Sequence, residues 1–268
     1  IDPTAAAAAV TERTRAIFVV HYAGIPCDMD AIRAIASRHG LLVVEDAAQA
    51  FGSFYKGRPA GSLGDMAAFS FHETKNIVSG EGGALVLTDP ALAERAEIVR
   101  EKGTNRSRFL RGAVDKYTWV DIGSSYLPSE LIAAFLLAQF EQADQINADR
   151  LETWRAYHDA FAGHERAGRL RRPFVPNEVT HNGHIYYLLL DDMEDRDRFI
   201  ARMKEGGVTP AFHYVPLHSS PAGERFGRVS GSLDATDDVS SRLVRLPMFQ
   251  GLADERGRVI QVAMEALG

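Results

Sequence analysis

A single cysteine, Cys27, stands in 268 residues, so no internal disulfide can brace the fold and a reducing compartment suits the chain. No apolar run approaches the roughly 20 residues that a membrane-spanning helix needs. The N-terminus lacks the charged-then-apolar order of a secretory leader, so a cytoplasmic location is the expectation. Neither G-x-G-x-x-G nor G-x-x-x-x-G-K-[ST] occurs, which removes the nicotinamide and P-loop readings, and without a G-x-S-x-G elbow a serine hydrolase has no support. His21, His39, His72, His213 and His218 show no H-x-x-x-H or cysteine-paired ligand spacing, so no metal site is expected. Positive charge is not in excess either. The net charge of −6 argues against nucleic-acid binding, and the cluster Arg166, Arg169, Arg171 and Arg172 reads as a solvated face.

What the chain does have is the makings of a sizeable core, with 46% hydrophobic and 25% charged residues. Ala16 to Val20 reads as an interior strand, Asp28 to His39 as a helix capped by Asp28 and stopped by Gly40, and Leu41 to Val44 as a second strand. That succession is a βαβ unit with parallel strands. It places Asp46 at the carboxyl end of a parallel strand, where α/β sheets bind ligands. Tyr55 to Gly64 reads as a loop, Met66 to Phe71 and Ala84 to Thr88 as strands, and Pro90 to Lys102 as a helix. Gly103 to Tyr126 is irregular and polar. Ser129 to about Ala162 reads as one long helix, with room for a bend, that joins two domains. The pattern then resets to a small α+β domain. Its elements are a strand at Ile185 to Leu190, a helix at Asp195 to Glu205, a strand near Val208 to Phe212, and helices near Asp237 to Val244 and Asp254 to Ala266.

The chemistry concentrates between Leu41 and Gly83. A carboxylate closing a buried strand, followed 29 residues later by Lys75 in a loop, suits pyridoxal phosphate (PLP). The lysine can condense with the cofactor aldehyde, and the acid can pair with the protonated pyridine nitrogen. Phe69-Ser70-Phe71 before Lys75 and Gly80-Glu81-Gly82-Gly83 after it hold the amine near the sheet. A partly desolvated amine beside a cation loses its proton below the ordinary lysine value of about 10.4. Glu45 is an alternative acid, but strand alternation turns it to the other face. Gln49 is a candidate contact to the ring's phenolic oxygen or a turn cap, and Ser70 a phosphate ligand or a filler of the sheet. The glycine run reads as a tight turn.

Glu45-Asp46-Ala47-Ala48-Gln49, Gly64-Asp65, Phe69 to Asn76 and Gly80 to Gly83 resemble the core of the DegT/DnrJ/EryC1/StrS sugar aminotransferases. Arg100 to Ser107, Val114 to Trp119, Asp121 to Tyr126 and Phe212 to His218 extend the resemblance over essentially the whole chain. It implies a fold-type-I PLP-dependent transferase, related to aspartate aminotransferase. The large domain, residues 1–145, would hold a mixed, mostly parallel sheet, and residues 146–268 would be the small α+β domain. It implies that Lys75 is the Schiff-base lysine, Asp46 the pyridinium partner, Gln49 a neighbour of the ring and Ser70 a phosphate ligand. Ser125 stands where many relatives carry an asparagine that reaches the cofactor from the other subunit of a homodimer, whose active site lies at the subunit interface. Relatives also carry, upstream of the first strand seen here, a phosphate-cradling helix N-terminus and a ring-stacking aromatic. The resemblance therefore implies that the N-terminal part of the large domain is missing and that this piece binds PLP weakly or not at all.

The implied reaction is ping-pong transamination with L-glutamate as donor and a nucleotide-linked keto-sugar as acceptor, Lys75 serving as anchor and then as general acid/base. Its rivals are a 3-amino transaminase, a dehydratase of the same fold (which carries histidine in place of the lysine) and a non-catalytic piece that keeps the fold.

Overall fold

A computed structural model describes residues 1–268. Helix α1 (Pro3–Ala9), capped by Asp2, precedes strand β1 (Ala16–Val20). Asp28 caps α2 (Met29–His39) by accepting the Ala31 amide at 3.1 Å, and Gly40 ends it at φ 63°, in the left-handed region that favours glycine. Met29, Ile32, Ile35 and Ala36 share one face of α2 and are buried with Ile17, Val19 and Val43. This burial holds β1 against β2 (Leu42–Asp46). The two strands pair in parallel, Ile17 beside Val43 and Val20 beside Asp46.

The segment read as a loop from Tyr55 to Gly64 carries a small hairpin, β3 (Phe54–Tyr55) and β4 (Arg58–Pro59). β5 (Met66–Ser70) then adds to β2 in parallel, and β6 (Gly83–Leu87) returns antiparallel to it. The sheet order is β1-β2-β5-β6, mixed and mostly parallel as expected. Beyond it, only Ala93–Arg100 of the expected helix forms α3, after a 3₁₀ turn at Pro90–Leu92. The irregular stretch holds α4 (Arg106–Leu110), and its ends are drawn together by isolated bridges, Glu101 to Ser125 and Thr104 to Trp119.

The helix expected from Ser129 to Ala162 is two helices, α5 (Glu130–Glu141) and α6 (Ala143–Ala160), broken at Gln142 (φ −110°, ψ 8°). Ser129 does cap α5, accepting the Ile132 amide at 3.3 Å. The break has a packing reason. Phe140 and Ile146 lie six residues apart and would face different sides of a continuous helix. Here Ile146 is buried with Phe71 and Ile77, while Phe140 meets Phe71 edge-on at 5.2 Å.

A short α7 (Ala162–Arg166) leads to β7 (Val179–Thr180), which pairs with β3 and so ties the later part of the chain to the earlier. β8 (Tyr186–Leu189), α8 (Met193–Glu205), β9 (Ala211–Phe212), α9 (Pro221–Phe226), α10 (Asp234–Arg242), β10 (Leu243–Leu246) and α11 (Arg256–Leu267) complete the chain. The expected strand at 208–212 is thus only two residues long. The helix read over Asp237 to Val244 stops at Arg242, where the chain turns extended to enter the antiparallel sheet β8-β10-β9. Tyr186, Leu188, Val244 and Leu246 on one face of that sheet join a cluster drawn from residues 154–266. The alternate residues Tyr187, Arg245 and Ala211, paired across the strands, lie on the other face. That second face turns toward the β1-β2-β5-β6 body, since Tyr187 meets Tyr22 at 6.3 Å between ring centroids.

Candidate active site

The two acids closing β2 point to opposite faces, as the alternation requires. Glu45 is fully buried and accepts four hydrogen bonds: His21 Nε2 at 2.8 Å and the amides of Gly61, Leu63 and Gly64 at 2.7, 2.7 and 2.6 Å. His21 Nδ1 accepts the Cys27 amide at 3.2 Å, so the ring proton sits on Nε2 and is donated to Glu45. Burial would raise the Glu45 pKa, but His21 and the amides of Gly61 and Gly64 outweigh it and hold the carboxyl below its usual range. Glu45 is therefore a structural clamp on the loop before β5. Asp46 is the acid left for chemistry; its Oδ1 accepts the Ala48 amide at 3.0 Å.

Lys75 lies half-buried in the loop between β5 and β6. The Lys75 amide donates to His72 O at 2.9 Å, while the Phe71 and Glu73 amides donate to Gly82 O and Gly80 O at 2.9 and 3.0 Å. The glycine run is thus the turn that closes the loop, with Gly80 at φ 80°. Three influences act on the amine. Burial lowers its pKa most, the Asp46 carboxylate pulls it back up, and the Arg245 guanidinium lowers it further. The net direction is down, as an amine that attacks a carbonyl requires.

Residues from distant parts of the chain fix this loop. Asn76 donates from Nδ2 to Asn147 Oδ1 and to Asn182 O, both at 2.9 Å, and its Oδ1 meets His184 Nδ1 at 2.8 Å. Asn182 in turn donates to Gln49 O at 2.9 Å and Phe51 O at 3.0 Å. Arg150, buried on α6, donates to the carbonyls of Gly183 and His184, and desolvation brings its pKa down to about 10. The Tyr22 hydroxyl contacts His213 Nδ1, joining the turn after β1 to the segment after β9. Burial raises the phenol's pKa, against Arg245, so Tyr22 keeps its proton and donates it. His213 is pushed down to about 4 by burial and then by Arg245 and Lys75. His184 goes down to about 3 by burial and then by Arg150, Lys75, Arg245 and His213. Both imidazoles are neutral at pH 7.

The structure brings Asp46, Lys75, Gln49 and Ser70 to one edge of the sheet. Gln49 Oε1 accepts the Ala23 amide at 2.7 Å. Ser70 is two residues past Ala68, the register partner of Asp46, and so lies on the Asp46 face. Its Oγ accepts the His72 amide at 3.3 Å. Ser125 is not drawn in; it is exposed, pairs with Glu101, and makes no hydrogen bond to this group. Sequence reading passed over Tyr22, Asn76, Arg150, His184 and Arg245. Of these only Arg245 carries a local signal, a lone charge inside the apolar run Leu243-Val244-Arg245-Leu246. No group of three or more His, Cys, Asp or Glu is placed to hold a metal ion, and no helix is long and apolar enough to cross a membrane.

An acid and a lysine at the carboxyl edge of a mostly parallel sheet, with a smaller antiparallel sheet facing them, define the fold-type-I class of PLP-dependent transferases. Comparison with known proteins agrees. The DegT/DnrJ/EryC1/StrS aminotransferase family matches residues 1–264, and the chain belongs to that family. The solved structure of S. venezuelae DesV superposes with a TM-score of 0.87 at 34% identity, covering 100% of this chain and 69% of DesV. The spore coat polysaccharide biosynthesis protein SpsC of Bacillus subtilis is 34% identical over 263 residues, 95% of this chain and 67% of SpsC. An uncharacterized protein of Methanocaldococcus jannaschii is 35% identical over 254 residues, 92% of this chain and 65% of that protein. The chain thus spans about two thirds of the length of these curated relatives.

Proposed function

We propose that the protein is a PLP-dependent nucleotide-sugar aminotransferase. The observation that carries this reading is the half-buried Lys75 amine, its proton affinity lowered, in electrostatic contact with Asp46 at the end of β2. The donor set fits the cofactor. Lys75 supplies an amine for the aldehyde, Asp46 a carboxylate for the ring nitrogen, and Ser70 a hydroxyl on the Asp46 face for phosphate. When bound, PLP supplies an electron sink for the carbanion formed at the amino donor's α-carbon. Asp46 would hold the proton of the ring nitrogen, and Gln49, anchored to the Ala23 amide, would contact the ring. Lys75 Nζ would take the donor's α-proton and hand it back, acting as base and then as acid.

The finer reading is that L-glutamate aminates dTDP-4-keto-6-deoxyglucose to dTDP-4-amino-4,6-dideoxygalactose, a step that supplies enterobacterial common antigen. Arg100 to Ser107, Val114 to Trp119 and Phe212 to His218, which resemble the transaminase of that step, support it. So does SpsC, whose name places it in polysaccharide synthesis. A homodimer, with Ser125 reaching the site of the other subunit, is part of the same reading. The apolar surface of α5 and the segment before it, with Trp119, Ile122 and Leu131 at 74, 79 and 84% exposure, supports that arrangement. Incubation with PLP, L-glutamate and the 4-keto-sugar nucleotide tests the proposal. 2-Oxoglutarate and a 4-amino sugar nucleotide, identified by NMR, are expected. A 3-amino product contradicts the substrate assignment, and no 2-oxoglutarate contradicts the activity.

A further inference from the structure

The acid arm and the amine arm of the candidate site are not joined to each other directly. Asp46 closes β2 with Gln49 just beyond it, Lys75 lies in the loop after β5, and no hydrogen bond runs between residues 46–52 and 72–79. Each arm is tied instead to a third element, the turn Asn182-Gly183-His184 between β7 and β8. Toward the acid arm, Asn182 Nδ2 donates to Gln49 O at 2.9 Å and Phe51 O at 3.0 Å. Toward the amine arm, the turn takes both ends of the Asn76 side chain. Asn76 Nδ2 donates to Asn182 O at 2.9 Å, and its Oδ1 meets His184 Nδ1 at 2.8 Å. Inside the turn the His184 amide donates to Asn182 Oδ1 at 3.1 Å, so the two side chains are locked to each other. A parallel bridge through Asn147 on α6 is longer on the acid side, where Asn147 Nδ2 reaches Phe51 O at 3.4 Å.

The turn itself has no room to move. Gly183 sits at φ 62°, and a Cβ there would lie 3.1 Å from the Arg150 carbonyl carbon and the Leu151 nitrogen, so the turn lies directly on the backbone of α6. Arg150 fastens it by donating to the carbonyls of Gly183 and His184. Asn76, Asn182 and His184 are all buried, so none of these bonds is exchanged for water without cost. We propose that this turn is the spacer that sets the Lys75 amine against Asp46, with Asn182 and His184 as positioning residues. The role takes its meaning from the aminotransferase reading above, in which the two side chains meet opposite ends of one ring. Such a pair has to be held within about 0.5 Å of its productive separation, and a spacer on the rigid α6 does that for two loops that do not touch.

The test needs no cofactor. Brief acylation of Lys75 across the alkaline range, read by peptide mass with Lys56 as internal reference, gives a pH profile whose position reports the setting of the amine and whose plateau reports its accessibility. The charged and titratable groups facing that amine are Asp46 from β2, Arg245 from β10, His184 from the turn and His213 after β9. His184 is neutral, so exchanging it for a neutral amide changes no charge, and a displaced profile reports a displaced amine. In His184→Asn the amide nitrogen takes the place of Nδ1 and still donates to Asn76; in His184→Gln it takes the place of Nε2 and does not. His184→Asn is expected to keep the wild-type profile. His184→Gln, and Asn182→Ala, which cuts the ties to Gln49 and Phe51, are expected to slacken the loop and admit water to the amine. Their profiles move toward the ordinary lysine value of about 10.4, and labelling at pH 8 relative to the plateau falls roughly threefold to tenfold. Urea midpoints are measured alongside. The proposal is overturned if His184→Gln and Asn182→Ala lose stability but leave the profile in place, or if His184→Asn displaces it as far as His184→Gln. The last two variants are read independently, so one that fails to fold leaves the other to decide. A failed aminotransferase reading shows separately, as no pyridoxal trapping at Lys75 in a chain whose profile responds as described.

Discussion

His184 Nδ1 and Asn76 Oδ1 lie 2.8 Å apart, so the residue next to Lys75 is held by one 108 positions further along the chain. The Asn76 amide nitrogen already donates to Asn147 and Asn182, which leaves its oxygen to accept and makes His184 Nδ1 the donor. A neutral imidazole serves that purpose, and burial beside Arg150 and Lys75 keeps His184 neutral. The loop bearing the reactive amine is thus part of the junction between the two sheets.

Asn76→Ala should therefore cost about 1–3 kcal/mol, because it strands a buried imidazole N–H and a buried carbonyl. Urea denaturation measures the loss. An unchanged midpoint would mean that the junction does not depend on Asn76.

Gly24→Ala tests the same junction from the other side. Gly24 sits at φ 77°, and a Cβ there would collide with Asn182 Oδ1 and lie 3.0 Å from Gln49 O. The left-handed backbone alone costs roughly 1–2 kcal/mol for a residue with a side chain. The displaced Asn182 should add to that and weaken the ties to Gln49 and Phe51. A midpoint within experimental error of wild type would contradict the packing described.

Much of the body was legible in the sequence. The caps Asp28 and Ser129, the stop at Gly40, the parallel β1-β2 pair and the opposite facing of Glu45 and Asp46 follow from local spacing and turn chemistry. Asp46 and Lys75 were legible because the strand end and the glycine-closed loop lie close in the chain. β10 was not. Leu243 to Leu246 is four residues long, too short for periodicity to separate a strand from the end of α10. The break at Gln142 was hidden because its cause is tertiary, the contact of both Ile146 and Phe140 with Phe71. Arg245 and His184 were missed for a related reason. They reach Lys75 only once the β8-β10-β9 sheet is folded back onto the first, a relation that no local pattern encodes.

Glu45 should impose an acid limit on stability. Its folded pKa is depressed, so its contribution is fully present above the unfolded value of about 4.3 and is lost as pH falls through the lower folded value. Glu45→Ala should cost about 3 kcal/mol or more at pH 7, since it strands the His21 N–H and three amides, at about 1–3 kcal/mol for each unsatisfied buried group. It should also flatten the dependence on pH below 4.3. Urea midpoints from pH 3 to 7 test both; parallel curves for wild type and variant would refute the clamp.

The five lysines should differ in reactivity. Lys75 is lowered by burial and Arg245, whereas Lys56 is raised by its hydrogen bond to Asp30 at 2.7 Å. Brief acylation near pH 8, read by peptide mass, should label Lys75 ahead of Lys56 per accessible amine. The reverse order would place Lys75 in a different electrostatic setting.

The most direct test of the central claim is covalent trapping of the cofactor. The chain is mixed with PLP in large excess, which offsets the weak binding that its resemblance implies, then reduced with borohydride and mapped by peptide mass spectrometry. A pyridoxyl group is expected on Lys75 well above the other four lysines, lost in Lys75→Ala, and diminished when L-glutamate is added before the reductant because the donor frees the lysine. Label spread evenly over all five lysines, or unchanged by glutamate, would contradict it.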